Sequence, residues 1–388
     1  MAAERPDITI LGGGPVGLAA ALALHPIANI RVLESGPAKP EPSADDALDP
    51  RVYALSPASR ALLESLGAWR HMRKERMAPV AAMHVFGDAA PGELMLDARQ
   101  PLAWIAEHGE LVAALTLAVE RAGIAVRHGV KAAGWDAAAD GAESALKLQD
   151  GSVLRQSLMI GADGAQSWLR TAAGLPVTHK AYDSLGLVAN FTCEYSHQGI
   201  ARQWFKGDSV LAWLPLPGRT ISIVWSVSEA EGQRLLALSA EGLAAEVAAA
   251  GGRALGAFSL LSKVAAFPLR QTLAPISVAQ GLVLLGDAAH AIHPLAGQGV
   301  NLGFGDVAVL RDTLSARGPL QRVGALTLLR RHERARREDV AAMAVLTDRL
   351  KALFEANARP LPALRNAGMA WLNRRNELKH AIIRRAMG

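Results

Sequence analysis

Three short segments of this chain, far apart in sequence, carry residues suited to holding one polar, electron-accepting ligand. The last of them, Gly281 to Asp306, reads GLVLLGDAAHAIHPLAGQGVNLGFGD. An apolar run, Leu282 to Leu285, breaks at Gly286-Asp287, crosses a loop containing Pro294, and enters a helix through Gly297-Gln298-Gly299. Such a strand fixes a carboxylate, and the helix start aims free N–H groups and a positive dipole end at whatever sits beside it.

The first segment lies at the N-terminus. Asp7 to Leu11 reads as a buried strand, followed by Gly12-Gly13-Gly14-Pro15-Val16-Gly17 and an Ala/Leu-rich helix to about Leu24. This is G-x-G-x-x-G between a strand and a helix, the context in which it binds a dinucleotide. Gly12 makes the tight turn, Gly14 admits a pyrophosphate to the backbone, and Gly17 lets helix and strand pack closely. A second strand, Ile30 to Leu33, ends at Glu34, a carboxylate placed to accept from the ribose hydroxyls of an adenosine. In the middle segment the run Leu158 to Ala162 ends in Asp163-Gly164, with Ser167 and Arg170 on the following turn. Three such ends suggest one long ligand across the carboxyl edge of a single sheet. FAD has the length to use all three, whereas NAD would be satisfied by the first alone.

The elements that must position these corners alternate between two patterns. Segments 1–75, 100–178 and 275–388 read as an α/β, Rossmann-like FAD-binding domain with a central parallel sheet and C-terminal helices. Segments 76–99 and 179–274 read as an interleaved, mainly antiparallel substrate domain. Pro79 to Asp97 alternates like a hairpin, Tyr182 to Phe267 is strand-like, and one Ala-rich helix is predicted from about Glu229 to Ala250. Glu110 to Gly123 reads as an amphipathic helix, and Leu146 to Leu154 as a hairpin turning at Asp150-Gly151.

At 388 residues, with 51% hydrophobic and 20% charged, the chain can bury a large core and is not a disordered type. Its single cysteine, Cys193, excludes a disulfide framework and cysteine metal clusters, and an alternating neighbourhood makes it a buried thiol. There is no clustered ligand set for a metal. No run approaches the roughly 18 apolar residues of a membrane span, and the N-terminus lacks a signal core, so a cytoplasmic location is expected.

The net charge of +5 is unevenly spread: from Arg311 to Gly388 there are 17 Lys/Arg against 7 Asp/Glu. Two basic pieces stand out, Arg330 to Arg337 and a final helix expected over Leu364 to Met387. On that helix Leu364, Ala367, Trp371, Leu378 and Ile382 form an apolar stripe bordered by Arg374, Arg375 and Arg385. The stripe suits peripheral contact with the inner membrane face, and equally a helix docked on its own protein. No nucleic-acid-binding module is recognisable.

On the three motifs together, and on His293-Pro-Leu-Ala-Gly-Gln-Gly-Val-Asn-Leu-Gly303 with Asp306 beyond, the chain resembles the FAD-dependent aromatic-ring hydroxylases of the para-hydroxybenzoate hydroxylase type. Within them it is most similar to the ubiquinone-biosynthesis hydroxylase branch, over nearly its whole length. The resemblance implies FAD as cofactor, NAD(P)H as transient electron donor, and O₂ as co-substrate. It implies oxygen transfer to a phenolic ring, most simply a polyprenylphenol, in a pocket shielded from water. Assembly with other quinone-biosynthesis proteins is also implied. By the same resemblance Asp287 meets the ribityl chain, Asp163 the ribose and pyrophosphate, and Arg51 of the DPRVYALS segment a phosphate. Pro294, Gly297, Gln298, Gly299, Val300 and Asn301 would line the flavin edge, with Pro294, Gly297 and Gln298 positioning flavin and substrate. His290 and His293 read either as proton carriers or as histidines satisfied by backbone. A basic residue that some relatives place before the long helix is missing from Ala106-Glu-His-Gly109, so that contact stays unassigned. Other readings stay open: a hydroxylase of a soluble aromatic compound, a flavoprotein reductase, or a non-catalytic assembly factor.

Overall fold

The computed structural model describes residues 5–38, 43, 47–137, 143–292, 299–355 and 360–387. Its centre is a six-stranded sheet in the order Val278–Ala279, Leu282–Leu284, Leu158–Gly161, Asp7–Leu11, Asn29–Leu33, Ala125–Arg127. All neighbours are parallel except the outermost pair, Val278–Ala279 with Leu282–Leu284. Ile8, Ile10, Val32, Leu158, Ile160 and Val283 are completely or almost completely buried. That is the expected state of parallel strands covered on both faces, and it explains their uninterrupted apolar runs.

One face is covered by three helices, Pro15–Leu24, His108–Arg121 and Gly299–Ser315, which share a core containing Leu18, Leu111, Leu115, Phe304 and Leu310. The other is covered by a small antiparallel sheet, Ala132–Asp136, Ser144–Leu148 and Val153–Gln156, whose Leu146 and Leu148 pack on Leu11, Leu33 and Met159. The register sets Leu11 level with Gly161 and with Leu33, and Gly161 level with Leu284. The Gly/Asp corners that follow these strands therefore leave the sheet at one height.

A nine-stranded sheet stands over that edge. It runs from His290–Ala291 through Ala265–Leu273, Thr178–Cys193, Thr220–Ser228, Ser209–Leu216 and Ile200–Lys206 to the hairpin Ala82–Phe86 and Glu93–Asp97, with Phe258–Leu260 alongside. Period-two alternation gives it two faces. Leu187, Ala189, Phe191, Trp213 and Ile223 pack outward against two helices, while Val188 and Val224 face the parallel sheet's edge. Cys193 is buried in the outer core, where removal from water pushes its thiol up to about 12. Met77–Val80, by contrast, joins Val52–Leu55 and Ala103–Glu107 in a fourth, three-stranded sheet.

Two predicted helices are each broken in the structure. Glu229 to Ala250 is divided into Glu229–Leu236 and Ala240–Ala250, because the Ser239 hydroxyl accepts from Gly242 N–H and starts a second helix. The final helix is divided into Leu361–Asn373 and Asn376–Met387. There Asn373 Oδ1 accepts from Met95 N–H at 3.0 Å, which ties the end of the first helix to the hairpin. The stripe lies outside: Leu364, Ala367, Trp371, Leu378 and Ile382 all face solvent, so the self-docked reading of that face does not hold. Among the described residues no helix is long and apolar enough to cross a membrane.

Candidate cofactor and active site

The three corners open into one cleft of ≈1130 Å³ between the two large sheets. Gly12, Gly14, Pro15, Val16, Glu34, Arg51, Asp163, Asp287, Gly299 and Val300 all line it. Gly17, Gly286 and Asn301 sit behind that surface. Pro294, Gly297 and Gln298, with His293, lie outside the described residues.

The three glycines of the first corner differ in what forbids a side chain. Gly12 has φ +113°, and a Cβ there would stand 2.2 Å from the Ala162 carbonyl oxygen. At Gly17 a Cβ would stand 2.0 Å from the Gly12 carbonyl oxygen. Both are demanded by the protein itself. Gly14 is different: beyond its two chain neighbours a Cβ there would meet no atom of the described residues within 4 Å, and it would project into the cleft. The helix that begins at Pro15 has no side-chain cap and no acidic residue in its first turn. Its first N–H groups and dipole are left for an anion.

Glu34 closes one end of this corner. Its carboxylate accepts from Gly13 N–H at 2.6 Å and from Gly36 N–H at 2.7 Å, which orients it with lone pairs to spare for hydroxyl donors. At the second corner Asp163 Oδ2 accepts from Leu169 N–H at 3.1 Å, while Oδ1 is buried with no partner among the described residues. A buried carboxylate oxygen without a donor is costly, and it fits a hydroxyl-bearing ligand. Asp287 is half-buried at the third corner. Burial raises its pKa, with Arg51 and His290 pulling the other way and Asp306 adding to the rise. Dinucleotide phosphates, ribose and a polyol chain are what these groups suit, so the residues present fit FAD.

Beneath the third corner lies a buried ionic network. Asp306 Oδ2 sits 2.7 Å from His290 Nε2 and accepts from Gly286 N–H at 2.8 Å. Its Oδ1 accepts from Arg336 Nε at 2.8 Å. Burial alone would raise the Asp306 pKa, but the charges and hydrogen bonds of His290 and Arg336 hold it well below the usual carboxylate range. Burial alone would lower that of His290, and Asp306 outweighs it and leaves the imidazole raised. His290 is thus part of the support for the Gly286 turn and does not line the cleft. Gly286 itself takes φ +58°, with Val16 Cγ2 3.1 Å from where a Cβ would be.

Two further residues tie the corners together. Arg170, buried, donates to Ala288 O at 2.7 Å and to Ala165 O at 2.9 Å, latching the second corner to the third. Asn301 donates to Ala54 O at 2.8 Å and accepts from Ser56 N–H at 3.0 Å and Ser59 Oγ at 2.7 Å. Its amide is committed to the Ala54–Ser59 segment, so its side chain supports the wall that carries Arg51. Asn301→Ala is expected to cost about 2–3 kcal/mol of stability, because three partners lose a buried hydrogen bond; denaturant melts of apo and FAD-loaded protein measure it.

Sequence reasoning missed Tyr53 and His108. Both line the cleft, with Tyr53 Oη 3.1 Å from His108 Nδ1 and the Arg51 guanidinium 5.3 Å from the Tyr53 ring centre. Burial pushes the Tyr53 phenol up to about 12, against the pull of Arg51. The signal was present in DPRVYALS, since alternation along a strand puts residues 51 and 53 on one face. Arg336 was missed as well, hidden inside a basic run.

Comparison with known proteins agrees with this geometry. The FAD binding domain family matches residues 5–346. The chain is 36% identical over 401 residues to the 3-demethoxyubiquinol 3-hydroxylase of Escherichia coli, covering 100% of both chains. It is 33% identical over 427 residues to the mouse mitochondrial ubiquinone biosynthesis monooxygenase COQ6, covering 97% of this chain and 90% of that one. Among solved structures, p-nitrophenol 4-monooxygenase PnpA from Pseudomonas putida superposes with a TM-score of 0.78 at 19% identity, covering 98% of each, and shares the fold. With a dinucleotide cradle, a carboxylate edge and relatives that match from end to end, this chain belongs to the FAD-dependent monooxygenase family that includes the ubiquinone-biosynthesis hydroxylases.

Proposed function

We propose that this monooxygenase uses NAD(P)H and O₂ to hydroxylate the phenolic ring of a polyprenylated precursor of ubiquinone. The observation that carries the reading is the wall opposite the Gly/Asp edge. Val188, Val224, Ala265, Phe267 and Leu269 present an apolar surface across the same cleft. An apolar ring and chain can be desolvated there, beside the place where the cofactor's reactive end would lie. The names of relatives aligned along essentially their whole length support the substrate class.

On this reading, segments 1–75, 100–178 and 275–388 form the unit that holds FAD, and 76–99 with 179–274 form the substrate unit. The strand Met77–Val80 bridges them, since it pairs on the FAD side. Gly14 and the Pro15–Leu24 helix start receive the pyrophosphate, Glu34 the adenosine ribose, and Asp163 and Asp287 the polyol chain. Arg51 offsets phosphate charge, and the helix start at Gly299 favours negative charge on the nearby ring by about 0.3–2 kcal/mol. Bound FAD supplies hydride acceptance and oxygen activation. Substrate enters under the nine-stranded sheet, whose apolar side chains exclude water from the reacting centre.

The test is turnover. FAD-loaded protein given NADH or NADPH, O₂ and a short-chain prenylphenol is expected to accelerate nicotinamide oxidation and yield product heavier by one oxygen atom. If every prenylphenol gives only H₂O₂, while a soluble aromatic acid is hydroxylated, the substrate assignment falls and the soluble-substrate reading replaces it. A membrane-held substrate would also call for peripheral membrane contact and for assembly with other quinone-forming proteins.

A further inference from the structure

The first of the two closing helices is amphipathic in the inverted sense, and the second, which buries Ile383, continues its outward apolar stripe. Leu361–Asn373 docks through polar groups: buried Arg365 donates from Nε to Asp88 Oδ1 at 3.2 Å and from Nη1 to Leu353 O and Phe354 O at 2.7 and 3.0 Å. Buried Asn366 donates to Asp88 Oδ1 at 2.6 Å and to Pro362 O at 2.7 Å. The outward face is apolar. Leu364 is 61% exposed and Trp371 54%, and on the following helix Leu378 and Ile382 are 42% and 40% exposed. A helix that only completes a core points its apolar stripe inward. This one is held by its polar side and shows the stripe to solvent.

The surroundings of the stripe are cationic. Between residues 361 and 388 there are six Lys/Arg and a single acidic residue, Glu377. Arg374 and Arg375 are exposed at the junction of the two helices, and the Arg375 guanidinium lies 5.4 Å from the Trp371 ring centre. Leucines with a tryptophan, bordered by arginines, match the boundary of a bilayer, where apolar side chains enter the acyl region and cations meet phosphate. We propose that this face rests on an anionic lipid surface and holds the enzyme in the plane of the membrane. The assignment goes beyond the substrate reading, and its readout is independent of turnover, so either can fail alone.

The experiment is co-sedimentation of the FAD-loaded full chain with vesicles of phosphatidylcholine alone, or with about one third phosphatidylglycerol added. Binding is expected to the anionic vesicles and to be far weaker on the neutral ones. The double variant Leu364→Gln/Trp371→Gln is expected to lower partitioning on the order of ten-fold, and Arg374→Glu/Arg375→Glu to remove the preference for anionic lipid. Melting temperature and FAD content should stay unchanged in both, because these side chains face solvent. Absence of wild-type binding would overturn the proposal, as would variants that bind like wild type. So would light scattering that shows a dimer which the Leu364/Trp371 variant converts to a monomer, since the stripe would then be a contact between copies.

Discussion

Gly14→Val is expected to abolish FAD binding while leaving the apoprotein folded. Gly14 has φ −77° and ψ 179°, an extended conformation that a β-branched residue adopts without strain. Beyond its chain neighbours, its added Cβ meets no atom of the described residues within 4 Å. It obstructs the cleft, in the space a pyrophosphate would occupy. The dissociation constant for FAD is expected to rise at least roughly 100-fold, about 2.7 kcal/mol, read by quenching of flavin fluorescence. The apoprotein melt should shift by no more than about 2 °C, as for an uninvolved surface substitution. Gly12→Val and Gly17→Val are expected to behave differently, since their Cβ atoms would strike backbone at 2.2 and 2.0 Å and the fold itself would suffer. A Gly14→Val protein that purifies yellow with one FAD per chain would remove the phosphate from this corner.

The second large effect is expected at Asp306. Asp306→Ala would leave His290 and Arg336 in a buried site without their shared counter-charge, at a cost of about 3–5 kcal/mol. Gly286 N–H would also lose its acceptor, so FAD affinity should fall along with stability. The network has a pH signature. The Asp306 carboxyl is held below its ordinary 3.8, so its contribution is complete above that value and is lost as pH falls toward the folded-state pKa. The His290 imidazole is held above its ordinary 6.5, so its contribution is complete below 6.5 and fades as pH rises through its folded-state pKa. Wild-type melting temperature is therefore expected to be highest between these limits and to decline on both sides. Asp306→Asn should melt lower throughout and lose most of the alkaline decline, because the carboxylate that chiefly raises His290 is gone. A variant that keeps the wild-type alkaline slope would place that titration elsewhere.

The sequence by itself determined the three corners and the strands that end in them. The spacing of the glycines is a local signature: Gly12 takes φ +113° and Gly17 lies against the Gly12 carbonyl within one strand–turn–helix unit, although the Ala162 carbonyl that also excludes a side chain at Gly12 comes from a distant strand. A short apolar run stopped by Asp-Gly announces its own edge. The alternating segments of the capping sheet were readable for the same reason, since a period of two requires no partner to be recognised. What pairs across long separations was decided only by the tertiary structure. Arg330 to Arg337 contains five arginines, and nothing local distinguishes Arg336. It is singled out because the Leu326–Glu355 helix lies against Gly299–Ser315, and Gly305 leaves room for its guanidinium, with Nη2 2.9 Å from where a Cβ would be. Tyr53 and His108 meet because Val52–Leu55 and Ala103–Glu107 are neighbouring strands. The direction of the C-terminal stripe was undetermined for a related reason. A helical period marks which residues share a face, and only the position of Asp88 in the folded hairpin decides which face turns inward.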